Sequence, residues 1–193
     1  CAGADLSGAS TADADSFAAS GPGALVRVLE AMLDHPKPIV ARVQGHVAGG
    51  GNGLVAASDL SVAVESAKFA FSEVRVGVAP AVISVVCLAR MNPNDARELL
   101  LTGERVSAER VKAAGLVTAV AEEPSFDAVV RAYVDALLLG GPQACHGLCV
   151  ARVAREVEAA QRLDGEDAAG AQPAHGRRHD IGRVHGVGLV ALI

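Results

Sequence analysis

Two short stretches of this chain carry residue types that could do chemistry. The first, Gly45-His46-Val47-Ala48-Gly49-Gly50-Gly51-Asn52-Gly53-Leu54-Val55-Ala56-Ala57-Ser58-Asp59, places three successive glycines where an apolar strand gives way to a helix. With no side chains in the way, the peptide N–H groups and the positive end of the helix dipole are open to an oxygen carrying partial negative charge. Such a turn predicts an oxyanion site, which stabilises developing charge without an ionised residue and needs an acid/base partner.

The second stretch, Phe69-Ala70-Phe71-Ser72-Glu73-Val74-Arg75-Val76-Gly77-Val78-Ala79-Pro80, supplies that partner in Glu73. A carboxyl set among apolar residues is expected to be partly buried. Partial burial raises its pKa toward the range where one group both accepts and donates a proton near neutrality. The competing reading is a surface carboxylate at a strand end, paired with Arg75 or Lys68, and a Glu taken alone fits that better. Only the combination with the glycine turn favours chemistry.

The elements that must position these stretches follow from period and caps. Ala24 to Leu33 has apolar residues at helical intervals and stops before Pro36. Pro38 to Val43 is a β-branched run, hence a strand feeding the glycine turn; Gly50 to Ala57 is predicted helical, and Leu60 to Glu65 and Lys68 to Phe71 are predicted strands. This alternation argues for a layered α/β core. Farther on, Asn92-Pro93-Asn94-Asp95 supplies cap and first-turn residues for a helix to Leu101. Ser107 caps another that ends at Gly115, Leu116 to Ala121 reads as a strand, and Ser125 opens a helix through Leu139. Ala2 to Ser20 is small and polar, suiting a loop over the site.

In order and spacing, Ala2-Gly3-Ala4-Asp5-Leu6, Lys37-Pro38-Ile39-Val40, Gly45 to Asp59, Phe69 to Pro80, Leu101-Thr102-Gly103-Glu104 and Ala114-Gly115-Leu116-Val117 resemble the crotonase superfamily of enoyl-CoA hydratases and isomerases, from residue 1 to about Gln143. The resemblance implies an α/β fold with a layered β-sheet core flanked by helices, its amino-terminal strands missing because the chain starts at Cys1, inside the first motif. It implies an acyl-CoA thioester as substrate, coenzyme A entering only as part of it, and a homotrimer or hexamer.

Carried over by position, the N–H groups of Ala4 and Gly50 polarise the thioester carbonyl. Glu73 matches one catalytic glutamate of the two-glutamate hydratases, while the other falls on Gly53, so Glu73 has to do both jobs. Ala2, Asp5, Leu6, Ala48, Gly49, Gly53 and Pro80 are the implied substrate-binding positions. The text from Ser72 to Ser84, with Pro80-Ala81 in place of a glycine-rich continuation, resembles single-glutamate hydratases, which favours addition of water to a 2-enoyl-CoA. A double-bond isomerase and an inactive truncated paralogue are the alternatives. Gly53 is also expected to open volume beside the acyl chain, suiting a branched or bulky group.

Composition agrees with one sizeable core: 193 residues, 51% hydrophobic, formal net charge −5. The mild acidity gives no basic footprint for nucleic acid, so CoA phosphates have to be met locally, with Lys68 and Arg75 as candidates. The four cysteines match no paired metal-ligand pattern; Cys145-His146 with Cys149 lacks a further ligand pair, and Cys87 reads as core. No metal or redox cofactor is expected. No secretory signal, no apolar run of about 20 residues and scattered thiols point to the cytoplasm, away from any membrane. A dinucleotide reading of Gly51-Asn52-Gly53-Leu54-Val55-Ala56 is weak, because no acidic residue stands about 20 residues on at the end of a second parallel strand. The expected organisation is a crotonase-like core over 1–143, truncated at its start, and an atypical tail over 144–193. That tail has scattered Gly, His and Arg, only Val150 to Leu163 looks helical, and it is read as frame-shifted or disordered.

Overall fold

The computed structural model describes residues 1, 3, 21–141, 143–145 and 147–149. Helix α1 (Gly21–Leu33) stops ahead of Pro36 and turns Leu29 into the core. Strand β1 (Val40–Val43) leads through the two-residue β2 (Val47–Ala48) into α2 (Gly50–Ala57). The next pass repeats the pattern: β3 (Leu60–Val64), β4 (Lys68–Ala70), a 3₁₀ turn over Ser72–Val76, then α3 (Ala81–Arg90). Helix α4 (Pro93–Thr102), β5 (Arg105–Ser107), α5 (Ala108–Ala113), β6 (Ala119–Ala121), a 3₁₀ turn over Glu123–Ser125 and α6 (Phe126–Leu139) follow.

The strands form two three-stranded sheets, ordered β1-β3-β6 and β2-β4-β5. Val40 stands beside Leu60 and Val47 beside Phe69, so a pass of about 20 residues lays one parallel strand in each sheet. β3 pairs with β6 in parallel and β4 with β5 antiparallel. Val62, Ala63 and Val64 of β3 are buried, as expected of a central parallel strand covered on both faces. Cys1 extends the second sheet. Its amino group donates to the His46 carbonyl at 2.9 Å and its carbonyl accepts from the Ala48 N–H at 2.9 Å, the bonding of a parallel neighbour to β2.

The layered α/β reading holds, and several ends are set by the residues that predicted them. Ser107 accepts the Arg110 N–H at 3.2 Å as the cap of α5, and Pro93 opens α4, which closes on Gly103 in the left-handed region. Two details differ. The strand predicted from Leu116 is confined to Ala119–Ala121, because Leu116 bonds back to the Val111 carbonyl in the turn after α5. Asn92 makes no cap bond; its amide reaches Asp95 and the Ala113 carbonyl, joining α4 to α5.

α2 is the element on which the site depends, and its sequence Gly-Gly-Asn-Gly-Leu-Val-Ala-Ala has poor intrinsic helicity at its start. Packing holds it. A Cβ added at Gly50 would meet Leu25 of α1 at 2.8 Å, one at Gly51 would meet Cys1 at 2.9 Å, and one at Gly53 would meet Ile83 of α3 at 2.8 Å. Three elements thus approach the helix through three positions that have no side chain.

Candidate active site

Glu73 lies in the 3₁₀ turn directly after β4, between the buried Phe71 and the exposed Val74. The turn is closed by the Gly77 N–H on the Val74 carbonyl and the Val78 N–H on that of Glu73. The side chain is half-buried, and its Oε2 is enclosed with no hydrogen-bond partner among the described residues. Oε1 lies 3.4 Å from where a Cβ of Gly49 would stand. The glycine turn and Glu73, far apart in sequence, therefore meet on one side of the molecule. Arg75 does not pair with Glu73; its Nε donates to the Thr102 carbonyl at 3.2 Å, and no ion pair among the described residues includes Glu73. A buried acceptor left open in this way is costly to fold and is found where a ligand completes it.

The turn itself sorts its N–H groups. That of Ala48 goes to the Cys1 carbonyl, that of Gly49 to the Ala70 carbonyl at 3.1 Å, and that of Asn52 to the Gly49 carbonyl at 2.9 Å. Those of Gly50 and Gly51, in the first turn of α2, have no acceptor among the described residues, as helix geometry dictates. Gly49 sits at φ 53°, ψ −126°, a conformation that essentially only glycine adopts, and this reverses the chain so that the helix opens beside Glu73. Here the geometry revises one expectation: of the glycines, Gly49 faces the carboxylate, while Gly50, Gly51 and Gly53 are small because neighbours pack against them.

The expectation that Gly53 opens room for an acyl chain is overturned. Ile83 Cγ2 and, at 3.6 Å, Leu29 Cδ1 occupy the space a side chain would need, and a β-branched methyl cannot swing aside. Of the other residues anticipated, Ala48 is half-buried with its N–H committed, and Pro80 is half-buried at the amino end of α3. Ala2, Ala4, Asp5 and Leu6 lie outside the described residues, as do the loop to Ser20 and the tail from residue 150. Gly3 is described, and a Cβ of Gly49 would come within 3.7 Å of its Cα, so Gly3 itself lies beside the turn.

Two residues that sequence reasoning did not single out shape the site. Asn52 is completely buried, and its Nδ2 donates to the Ala70 carbonyl at 2.8 Å and the Gly49 carbonyl at 3.2 Å. The available signal was an amide inside an otherwise Gly, Leu, Val and Ala helix. Arg90, the last residue of α3, grips the other end of α2 through the Ala56 carbonyl at 3.1 Å, the Ser58 carbonyl and the Asp59 carbonyl at 3.1 Å. Cys87 is fully buried as anticipated. Burial first, and the negative charge of Glu73 second, push its thiol far up, with Arg90 opposing, so it stays neutral and is no nucleophile.

Comparison with known proteins gives the chain's relatives. A family model described as enoyl-CoA hydratase/isomerase matches residues 1–166. Carnitinyl-CoA dehydratase of Salmonella typhi is 33% identical over 148 residues, 76% of this chain and 56% of that protein. (E)-benzylidenesuccinyl-CoA hydratase of Thauera aromatica is 36% identical over 107 residues, 55% of this chain and 42% of its own. The crystal structure of an enoyl-CoA hydratase from Mycobacterium avium superposes with a TM-score of 0.67 at 35% identity, covering 72% of this chain and 54% of that one. The chain thus spans about half the length of these curated relatives.

Proposed function

The chain belongs to the enoyl-CoA hydratase/isomerase family, and from that premise we propose that it hydrates the double bond of a 2-enoyl-CoA with Glu73 as its single acid/base. In this reading the thioester carbonyl accepts hydrogen bonds from the N–H groups of Gly50 and Ala4, which lowers the cost of negative charge on its oxygen as an enolate-like state forms. A preorganised donor of this kind typically contributes about 3–4 kcal/mol at the transition state. Glu73 takes a proton from water, the hydroxide adds to the β-carbon, and the same carboxyl returns the proton to the α-carbon. No atom is left over, and the carboxylate ends ionised as it began. Peptide dipoles supply the polarisation, so coenzyme A enters only as the carrier of the acyl group.

The observation that carries this reading is the buried, unpartnered Oε2 of Glu73 beside the Gly49-Gly50 turn. The occupied space at Gly53 favours one carboxylate over two, since a glutamate there would collide with Ile83. It also removes the reason for preferring a branched acyl group, and the two relatives named for their CoA substrates act on different acyl chains by name. Among the described residues no helix is long and apolar enough to cross a membrane. The test is loss of the conjugated enoyl-thioester absorbance when the chain is mixed with crotonyl-CoA, with the product identified by mass. A product heavier by one water supports hydration. Unchanged mass with a moved double bond assigns isomerisation instead, and no turnover with no acyl-CoA binding overturns the enzymatic reading.

A further inference from the structure

Asn52 is held in a way that its place in the helix does not require. It is completely buried, where an amide must be hydrogen-bonded to be tolerated, and it gives both its donor bonds to carbonyls of the site. One bond, 3.2 Å, goes to the Gly49 carbonyl; the other, 2.8 Å, goes to the Ala70 carbonyl. These two acceptors have different jobs. The Gly49 carbonyl and the Gly50 N–H belong to the same peptide unit, and since no peptide bond among the described residues is cis the N–H points opposite to the C=O. Fixing that oxygen fixes the direction of the N–H, and a hydrogen bond on the oxygen also polarises the N–H at the far side of the peptide. Ala70 ends β4 and leads directly into the turn bearing Glu73; its carbonyl takes a second bond from the Gly49 N–H at 3.1 Å.

We propose that Asn52 is a positioning residue that aims and polarises the Gly50 N–H while fixing its distance to Glu73. The inference rests on the acyl-CoA reading above and adds to it the device that holds the two halves of the site in register. A side chain of the same size without the N–H donor leaves the packing and loses both bonds. The Gly49 carbonyl then keeps only the bond from the Asn52 backbone N–H at 2.9 Å, and the Ala70 carbonyl only its bond from the Gly49 N–H, so each carbonyl loses one of its two donors and the Gly49–Gly50 peptide is held less firmly.

The experiment uses Asn52→Leu and Asn52→Asp, both close to Asn in size, with folding checked by circular dichroism; should the leucine variant not fold, the aspartate variant carries the test. Each is mixed with (2E,4E)-hexadienoyl-CoA, whose absorbance moves to longer wavelength when a donor polarises its carbonyl, and is then assayed with crotonyl-CoA. The expected result is a bound-state shift cut by half or more, kcat lowered about tenfold or beyond, and KM and Kd within about threefold of wild type. A folded variant that gives the wild-type shift and keeps kcat within threefold overturns the role of Asn52. Failure of the acyl-CoA reading shows separately, in the parent chain: no binding or no shift there sinks both proposals at once.

Discussion

At the carboxyl end of α2 the Arg90 fork binds the carbonyls of Ala56 in the helix and of Ser58 and Asp59 just past it, and reaches Thr118 as well. At its amino end, one short helix away, the N–H groups of Gly50 and Gly51, Asn52 Oδ1 and Glu73 Oε2 have no partner among the described residues. Burial alone does not separate the two ends, since both lie in the same packed core. Satisfaction does. The saturated end anchors the helix, and the open end holds the groups that the proposed reading assigns to substrate, so on that reading changes at the first should act on stability and changes at the second on turnover.

Glu73→Gln should have the largest effect. Removing a general acid/base should lower kcat with a 2-enoyl-CoA by about 10³-fold. Thermal stability should stay level or rise, because a half-buried carboxylate with one unpartnered oxygen becomes neutral. A thermal melt and an initial-rate assay on the same preparation check both halves. Next comes Gly49→Ala, which forces an L-residue to φ 53° and sets a methyl 3.4 Å from Glu73 Oε1. Backbone strain of about 1–3 kcal/mol is expected. Turnover should fall about 10²-fold, as displacements near 1 Å do.

At the other end, Arg90→Met keeps the apolar stem and deletes the fork, leaving three main-chain carbonyls short of a donor. A loss of about 3 kcal/mol in a urea melt is expected, with kcat per folded molecule changed far less than by Gly49→Ala. Equal losses of stability and turnover from both ends would erase the distinction.

How much of this was legible in the chain depends on the range of the interaction. The cap at Ser107, the proline opening α4 and the β-branched run of β1 are local signals, and the elements they predict are present. The meeting of the glycine turn with Glu73 was legible as a pairing of motifs, though not as a distance. The purpose of the glycines was read only in part. A missing side chain looks the same in sequence whether a ligand, Leu25, Cys1 or Ile83 fills the space, and only the packing of α1 and α3 decides. Arg90 and Asn52 were not legible as parts of the site because their partners are backbone carbonyls, which every residue has. β2 and β5 are too short for a period to show, and β5 exists through its pairing with Lys68 to Ala70.

The smallest effect belongs to a carboxylate remote from both ends. Asn92 first and Arg110 second hold Asp95 below its ordinary value of 3.8, and Arg110 sits 2.9 Å away in a half-buried ion pair at the surface. Its folded-state pKa is depressed, so its contribution is present above the unfolded value and fades as pH falls through the lowered one. Asp95→Asn should therefore be slightly less stable than the parent chain near neutrality and converge with it in acid, with turnover unchanged. Urea midpoints taken across that pH range, with an assay at neutrality, check it.

If an amide-polarised thioester and one carboxylate share a site, the α-protons of a bound acyl-CoA exchange with solvent whether the reaction is hydration or isomerisation. With butyryl-CoA in deuterium oxide, the expected result is uptake of deuterium at the α-carbon, seen by mass spectrometry and abolished by Glu73→Gln while butyryl-CoA still binds. Exchange that continues unchanged in Glu73→Gln, or a parent chain that binds butyryl-CoA and exchanges nothing, would contradict it.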